Sequence, residues 1–208
     1  MENKIWFVSD THFGHIKDFL WAPRGFNSIE EHDETIIKNW NSVVAPEDEV
    51  YHLGDVMLGD NEYGLQCLKR LNGKIHIILG NHDTDTRVEL YKTCENVVSI
   101  EDVKKLKIGK HRFWLCHYPT FTANYDDDKP WAQHLINIYG HSHQKHKFFS
   151  LGNSAVAAQF GVLQHEKYNP YMYCVCLDAH NNHPVSLEQI IEDIRQEKQD
   201  INNRKELW

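Results

Sequence analysis

Along this chain, short runs of mostly apolar residues recur, and five of them end in a polar residue able to bind a metal. Ile5-Trp6-Phe7-Val8 leads into Ser9-Asp10-Thr11-His12, and Val50-Tyr51-His52-Leu53 into Gly54-Asp55. Ile75-His76-Ile77-Ile78-Leu79 leads into Gly80-Asn81-His82-Asp83. Phe113-Trp114-Leu115-Cys116 leads into His117, and Ile136-Asn137-Ile138-Tyr139 into Gly140-His141-Ser142-His143. Runs of this length bounded by glycine or polar turn residues read as buried strands. Helical periodicity fills several of the gaps. Ser28 and Glu31 have capping-box spacing ahead of Ile36, Trp40, Val43 and Val44, and Leu65, Leu68 and Leu71 mark a shorter helix stopped at Asn72-Gly73. Ser186 and Gln189 repeat the capping spacing before the stripe Leu187, Ile190, Ile191 and Ile194. Strands alternating with helices predict an α/β architecture. In such sheets ligands collect beyond the carboxyl ends of strands, so residues distant in sequence are expected to converge there.

The 208 residues fit one domain spanning 1–208. Within it, 144–170 is weakly periodic and reads as a flap or cap, and 195–208 as a polar C-terminal tail, either a solvated helix end or frayed. The net charge of -8 argues against tight nonspecific nucleic-acid binding, because an acidic surface repels phosphate backbones. Small anionic substrates remain compatible with bound cations. There is no signal-peptide pattern at the start and no apolar stretch near the roughly 18 residues a bilayer span needs. Five cysteines without a CxxC pair read as reduced, buried thiols, and a cytoplasmic location is expected.

Fifteen histidines change the picture through their placement. Asp10 and His12 combine a hard oxygen with a borderline nitrogen at a strand end, a mixture suited to Mn, Fe or Zn. Alone, such a triplet is more often an aspartate capping a turn beside a chance histidine. Asp55 has two oxygens and is able to bridge two cations. Asn81 offers an amide oxygen, His82 stands beside it as a candidate acid or charge stabiliser, and Asp83 is placed to orient that imidazole. His141 and His143, one residue apart after a glycine, reach from one turn, whereas a lone histidine at a strand end such as His117 is more often a hydrogen-bonded structural residue than a ligand.

Taken in order, Asp-x-His, Gly-Asp, Gly-Asn-His-Asp, His and Gly-His-x-His resemble the calcineurin-like metallophosphoesterase superfamily over about residues 5–143. A closer likeness, to a small bacterial and phage group within it, rests on Ser9-Asp10-Thr11-His12-Phe13-Gly14-His15, Tyr51-His52-Leu53-Gly54-Asp55 and Leu71-Asn72-Gly73. It extends through Asp178-Ala179-His180-Asn181-Asn182 and Pro184-Val185-Ser186-Leu187. The resemblance implies a four-layer α/β/β/α sandwich holding two divalent metal ions, with Mn favoured and Fe, Zn, Ni or Co allowed. One ion would take Asp10, His12, Asp55 and His143, and the other Asp55, Asn81, His117 and His141. His82 would be the acid or charge stabiliser.

The expected activity is metal-dependent hydrolysis of a small phosphate ester, a phosphodiester or nucleotide-type molecule first. The alternatives are a phosphomonoesterase, a nuclease or a non-catalytic metal-binding scaffold, because a fold alone never establishes activity. His15 and Arg24 are candidate substrate contacts, the guanidinium as a bidentate phosphate clamp. His32 reads as a surface residue of the first long helix, and His52 and His76 as satisfied structural histidines. Trp21, Tyr125 and Trp131 are able to stack on bases but are explained equally by core packing.

Overall fold

The computed structural model describes residues 3–122, 134–149 and 169–205. Tyr125, Trp131 and most of the expected flap at 144–170 lie outside the described residues. Four strands, β1 (Ile5–Val8), β2 (Glu49–His52), β3 (Lys74–Ile78) and β4 (Val97–Glu101), run parallel to one another. The second sheet contains β5 (Val103–Ile108), β6 (His111–Cys116), β7 (Leu135–Tyr139), β8 (Phe148–Phe149) and β9 (Asn169–Cys174). Near the end of the chain β10 (Val185–Ser186) returns antiparallel to β1. The two orders are therefore β10-β1-β2-β3-β4 and β5-β6-β7-β9-β8, with β6, β7 and β9 parallel.

Alternation along the strands decides what each face meets. Trp6 and Val8 point into a cluster with Ile36, Trp40, Leu68 and Tyr91, which come from α2 (Ile29–Val43), α3 (Asn61–Lys69) and α4 (Asp85–Tyr91). Phe7 points the other way, with Tyr51, Leu53 and Ile78, onto Phe113, Leu115, Ile136 and Ile138 of the second sheet. Each fully buried side chain of this size contributes about 1.5–3 kcal/mol. The inner strands β1, β2 and β3 of the first sheet are covered on two faces, which is why they read as largely apolar runs. The one-turn helix α1 (Asp18–Trp21) follows the first strand-end loop.

The capping signals place the helices as expected. Ser28 Oγ accepts from the Glu31 amide and Ser186 Oγ from the Gln189 amide, each at 3.2 Å. The last helix, α5 (Leu187–Lys205), packs Leu187, Ile190 and Ile194 into the cluster between the sheets beside Phe7, Val185 and Tyr173. It also runs on through the charged stretch to Lys205, so most of the expected tail is helix. At the free edge β5 presents Lys104, Lys105 and Lys107, a charged border that discourages edge-to-edge pairing.

The parallel strands all point their carboxyl ends to one side. Asp10, Asp55, Asn81, His117 and His141 follow β1, β2, β3, β6 and β7 within three residues, and so reach one place from both sheets.

Candidate metal centre

Backbone conformation marks this place before any side chain is considered. Asp10 (φ 59°), His12 (48°), Asp55 (58°), His141 (66°) and His143 (45°) all occupy the left-handed region. They are five of the seven non-glycine residues with positive φ among the described residues, the others being Asn181 and Asn182. Outside glycine that region is sparsely populated and costs of order 1–3 kcal/mol per residue, so it persists where surrounding structure enforces it. Two glycines make the crowding possible. A Cβ on Gly80 would lie 2.3 Å from Asp55 Oδ1 and 2.9 Å from His117 Cε1, and one on Gly140 would lie 2.7 Å from Asp10 Oδ2.

Two groups of donors result. Ligand atoms of Asp10, His12 and His143 lie within 4.8 Å of one another, as do those of Asp10, Asp55 and His117. In the first group His12 Nε2 is 3.2 Å from His143 Nε2, and these nitrogens lie 3.7 and 3.5 Å from Asp10 Oδ1. In the second, His117 Nε2 is 3.0 Å from Asn81 Oδ1 and 3.6 Å from Asp55 Oδ2. Asp55 Oδ2 is also 3.6 Å from His12 Nε2, so one carboxylate oxygen faces both groups. His141 stands at the rim, its ring 5.1 Å from that of His117, while its amide donates to Asp10 Oδ2 at 3.0 Å.

The donor set fits a divalent cation. Asp10 is wholly buried, yet its Oδ1 makes no hydrogen bond and points at the two imidazoles. A buried carboxylate oxygen left so is costly, and a cation offsets that cost. Burial pushes the Asp10 carboxyl up, but His12 and the charges of His143 and His117 outweigh it and hold it below the ordinary carboxylate range. Outer partners also match a metal site. His117 Nδ1 donates to the Leu53 carbonyl at 2.7 Å and His143 Nδ1 to Asp178 Oδ2 at 3.1 Å, which leaves each Nε2 facing the centre. Cys176 Sγ donates to Asp10 Oδ2 at 3.1 Å, a task beyond the plain buried-thiol reading.

Several sequence expectations need correction. Asp83 does not orient the His82 imidazole. Its Oδ2 accepts from the Asp55 amide (2.7 Å) and the Gly80 amide (2.8 Å), and its Oδ1 from Val56 and the Tyr91 hydroxyl. It therefore clasps the β2 and β3 loops together. Arg24 is no free phosphate clamp, because its side chain is 1% exposed and its donors are engaged by Asp178, the Asp10 carbonyl and His32. His32 is buried, not superficial, with Nδ1 2.7 Å from Asp33 Oδ1. His76 pairs through both ring nitrogens with Ser99 and Glu49, whereas His52 pairs through Nε2 with Thr11 and its buried Nδ1 makes no hydrogen bond.

His82 remains at the mouth, 42% exposed, with Nε2 4.0 Å from Asp55 Oδ2 and its ring 5.5 Å from that of His12. Its amide donates to Asp55 Oδ1, and Arg87 donates to its carbonyl. His15 sits 6.2 Å from the His12 ring, edge-on to Phe19. Burial, then the neighbouring His12 and His82, depress its pKa to about 4, so near neutrality it offers a neutral hydrogen bond instead of a cation.

Buried carboxylates and imidazoles gathered beyond the carboxyl ends of parallel strands mark an α/β protein with a candidate metal centre. The chain belongs to the calcineurin-like phosphoesterase superfamily, whose domain matches residues 4–182, and it is a metal-dependent phosphoesterase. It is 35% identical over 147 residues to an uncharacterized protein of Methanocaldococcus jannaschii, covering 69% of this chain and 71% of that one. It is 26% identical to the gene 66 protein of Mycobacterium phage D29, covering 93% and 98%. A protein of unknown function from Aquifex aeolicus shares the fold at a TM-score of 0.63 and 23% identity, covering 92% of this chain and 99% of that one. Among the described residues no helix is long and apolar enough to cross a membrane.

Proposed function

We propose that this chain uses two divalent ions, manganese first among them, to hydrolyse a phosphodiester or nucleotide-type phosphate ester in the cytoplasm. The observation that carries the two-ion reading is Asp55 Oδ2, equidistant at 3.6 Å from His12 Nε2 and His117 Nε2. Asp10, His12, Asp55 and His143 would hold one ion, and Asp55, Asn81 and His117 the other, with His141 at the rim. Asp10 also lies within reach of the second group. Carboxylate and amide oxygens mixed with imidazoles suit Mn, and equally allow Fe, Zn, Ni or Co. When bound, such a pair supplies positive charge to the phosphoryl oxygens and acidifies a water.

The protein's own residues do the rest. His82, at the mouth and outside both buried groups, delivers a proton from its imidazole to the departing alkoxide. Asp83 keeps the Asp55 and Gly80 backbones in place. His15 donates a neutral hydrogen bond. An organic group on the ester finds apolar surface, since Ile16 (71% exposed), Phe19 (70%), Phe121 (61%) and Tyr118 (45%) are four of the six exposed large hydrophobic side chains among the described residues. Phe19 abuts His15 and Tyr118 abuts His141, so these side chains flank the centre. This supports a substrate with a planar aromatic part, while the net charge of -8 disfavours a nucleic-acid polymer.

The test is hydrolysis of bis-p-nitrophenyl phosphate beside p-nitrophenyl phosphate by manganese-reconstituted protein. The diester should be cleaved faster. Tyr118→Ala and Phe19→Ala should each raise KM for the aromatic diester several-fold, at the low end of the roughly 1–3 kcal/mol that stacking contributes. Faster monoester cleavage would select the phosphomonoesterase alternative, and an unchanged KM in both variants would remove the aromatic rim from recognition.

A further inference from the structure

Asp178 lies in the trailing Asp178-Ala179-His180-Asn181-Asn182 segment, which the metal ligands leave without a task. The structure places it 35 residues beyond His143 and 154 beyond Arg24, in contact with both. Asp178 Oδ2 accepts from Arg24 Nη2 at 2.7 Å and from His143 Nδ1 at 3.1 Å, while Oδ1 accepts from Arg24 Nε at 3.1 Å. Side-chain exposure is 1% for Arg24 and 9% for Asp178, so this is a buried, two-point ion pair. Arg24 Nη2 also donates to the Asp10 carbonyl at 2.8 Å. Its Nη1 reaches His32 Nε2 at 3.0 Å, His32 Nδ1 donates to Asp33 Oδ1 at 2.7 Å, and Asp33 Oδ2 accepts the Gly14 amide at 2.9 Å. The Asp10–Gly14 loop is thus gripped at both ends by the chain of side chains that holds Asp178.

The aim of Asp178 is itself fixed. It sits in a 3-10 turn at Leu177–Ala179, and the Asn182 amide donates to the Leu177 carbonyl at 3.0 Å. Asn181 and Asn182 take the left-handed conformation that lets the chain double back, and Asn39 Nδ2 from α2 donates to the Asn182 carbonyl at 3.1 Å. Arg24 Nη2 is also 3.3 Å from His143 Nδ1, but a guanidinium only donates and its hydrogens have shorter acceptors at 2.7 and 2.8 Å. The proton between His143 and Asp178 therefore belongs on Nδ1, which leaves the Nε2 lone pair facing His12 and Asp10.

We propose that Asp178, locked by Arg24, is the positioning residue that fixes the tautomer and aim of His143 and so sets affinity for the ion on the His12–His143 side. This inference rests on the two-ion reading of the site. The His117 side has its own support, the Leu53 carbonyl on His117 Nδ1, and does not depend on Asp178.

The experiment titrates metal-free protein with Mn(II) in a calorimeter, for wild type, Asp178→Asn and Arg24→Lys, with the melting temperature of each metal-free form recorded alongside. Wild type should take two equivalents. Each variant should hold one as before and bind the other roughly 10–100-fold more weakly, the effect expected for loss of an outer partner. Nitrogen-15 spectra of the metal-free protein should show one His143 tautomer in wild type and a mixture in Asp178→Asn, a change that loss of fold support alone would not produce. Unchanged binding of both equivalents overturns the proposal, and so does equal weakening of both. If Asp178→Asn does not fold, Arg24→Lys carries the same comparison. A wild type that takes a single equivalent would remove the two-ion reading instead, and the effect of Asp178→Asn on that equivalent would still decide the proposal.

Discussion

Asp55→Asn is expected to reduce hydrolysis to background and to lower metal content in the same preparation. Asp55 Oδ2 faces His12 Nε2 and His117 Nε2 at the same 3.6 Å, and so lies between the two groups. An amide keeps the size of the side chain but removes its negative charge. Loss of a residue that merely supports a ligand costs about 10–100-fold in metal affinity. On the two-ion reading, loss of a carboxylate shared by both cations should exceed that. The other oxygen, Oδ1, accepts the His82 amide, so the substitution also disturbs the loop that carries the proton donor. Metal analysis after gel filtration, beside a rate assay, checks both halves. Full metal content with full activity would contradict the assignment.

His82→Ala should separate chemistry from metal binding. Turnover is expected to fall by about 10²–10⁴-fold, the range for loss of a general acid, with metal content unchanged. The geometry behind this is that His82 lies 4.0 Å from Asp55 Oδ2, 42% exposed, and outside both buried donor groups. The deficit should shrink for p-nitrophenyl esters, whose leaving group needs little protonation, and widen for alkyl esters. An equal deficit for both classes would argue against proton delivery. Full turnover on an alkyl ester would exclude the role altogether.

The strands that carry the ligands were legible because parallel strands covered on two faces must be almost wholly apolar, so each strand end stands out as a change of composition. Ser28 and Ser186 announced two helices through their caps. Less of the support around the site could be read. β4 and β5 carry polar and lysine residues because they lie at sheet edges, and α4 is only seven residues long with no side-chain cap at Thr84. His32 looks superficial on a helix with charged neighbours, and only Arg24 and Asp33 reveal it as buried. Asp83 adjoins His82 in sequence, but its two oxygens turn to backbone amides of the neighbouring loop. Asp178 was visible as part of a trailing motif, whereas its task depends on a partner 154 residues away. The left-handed backbone at five expected ligands falls on Asp and His, types that tolerate it better than most, but residue type alone does not single out these five among the many Asp and His of the chain.

The most direct test of the two-ion account is a stepwise one. Metal-free protein is titrated with Mn(II), and bound metal and diester hydrolysis are followed on the same samples. The account predicts two equivalents, with hydrolysis rising as the second binds and disappearing on chelation. Full hydrolysis at one equivalent, or hydrolysis that survives chelation with no metal bound, would contradict it.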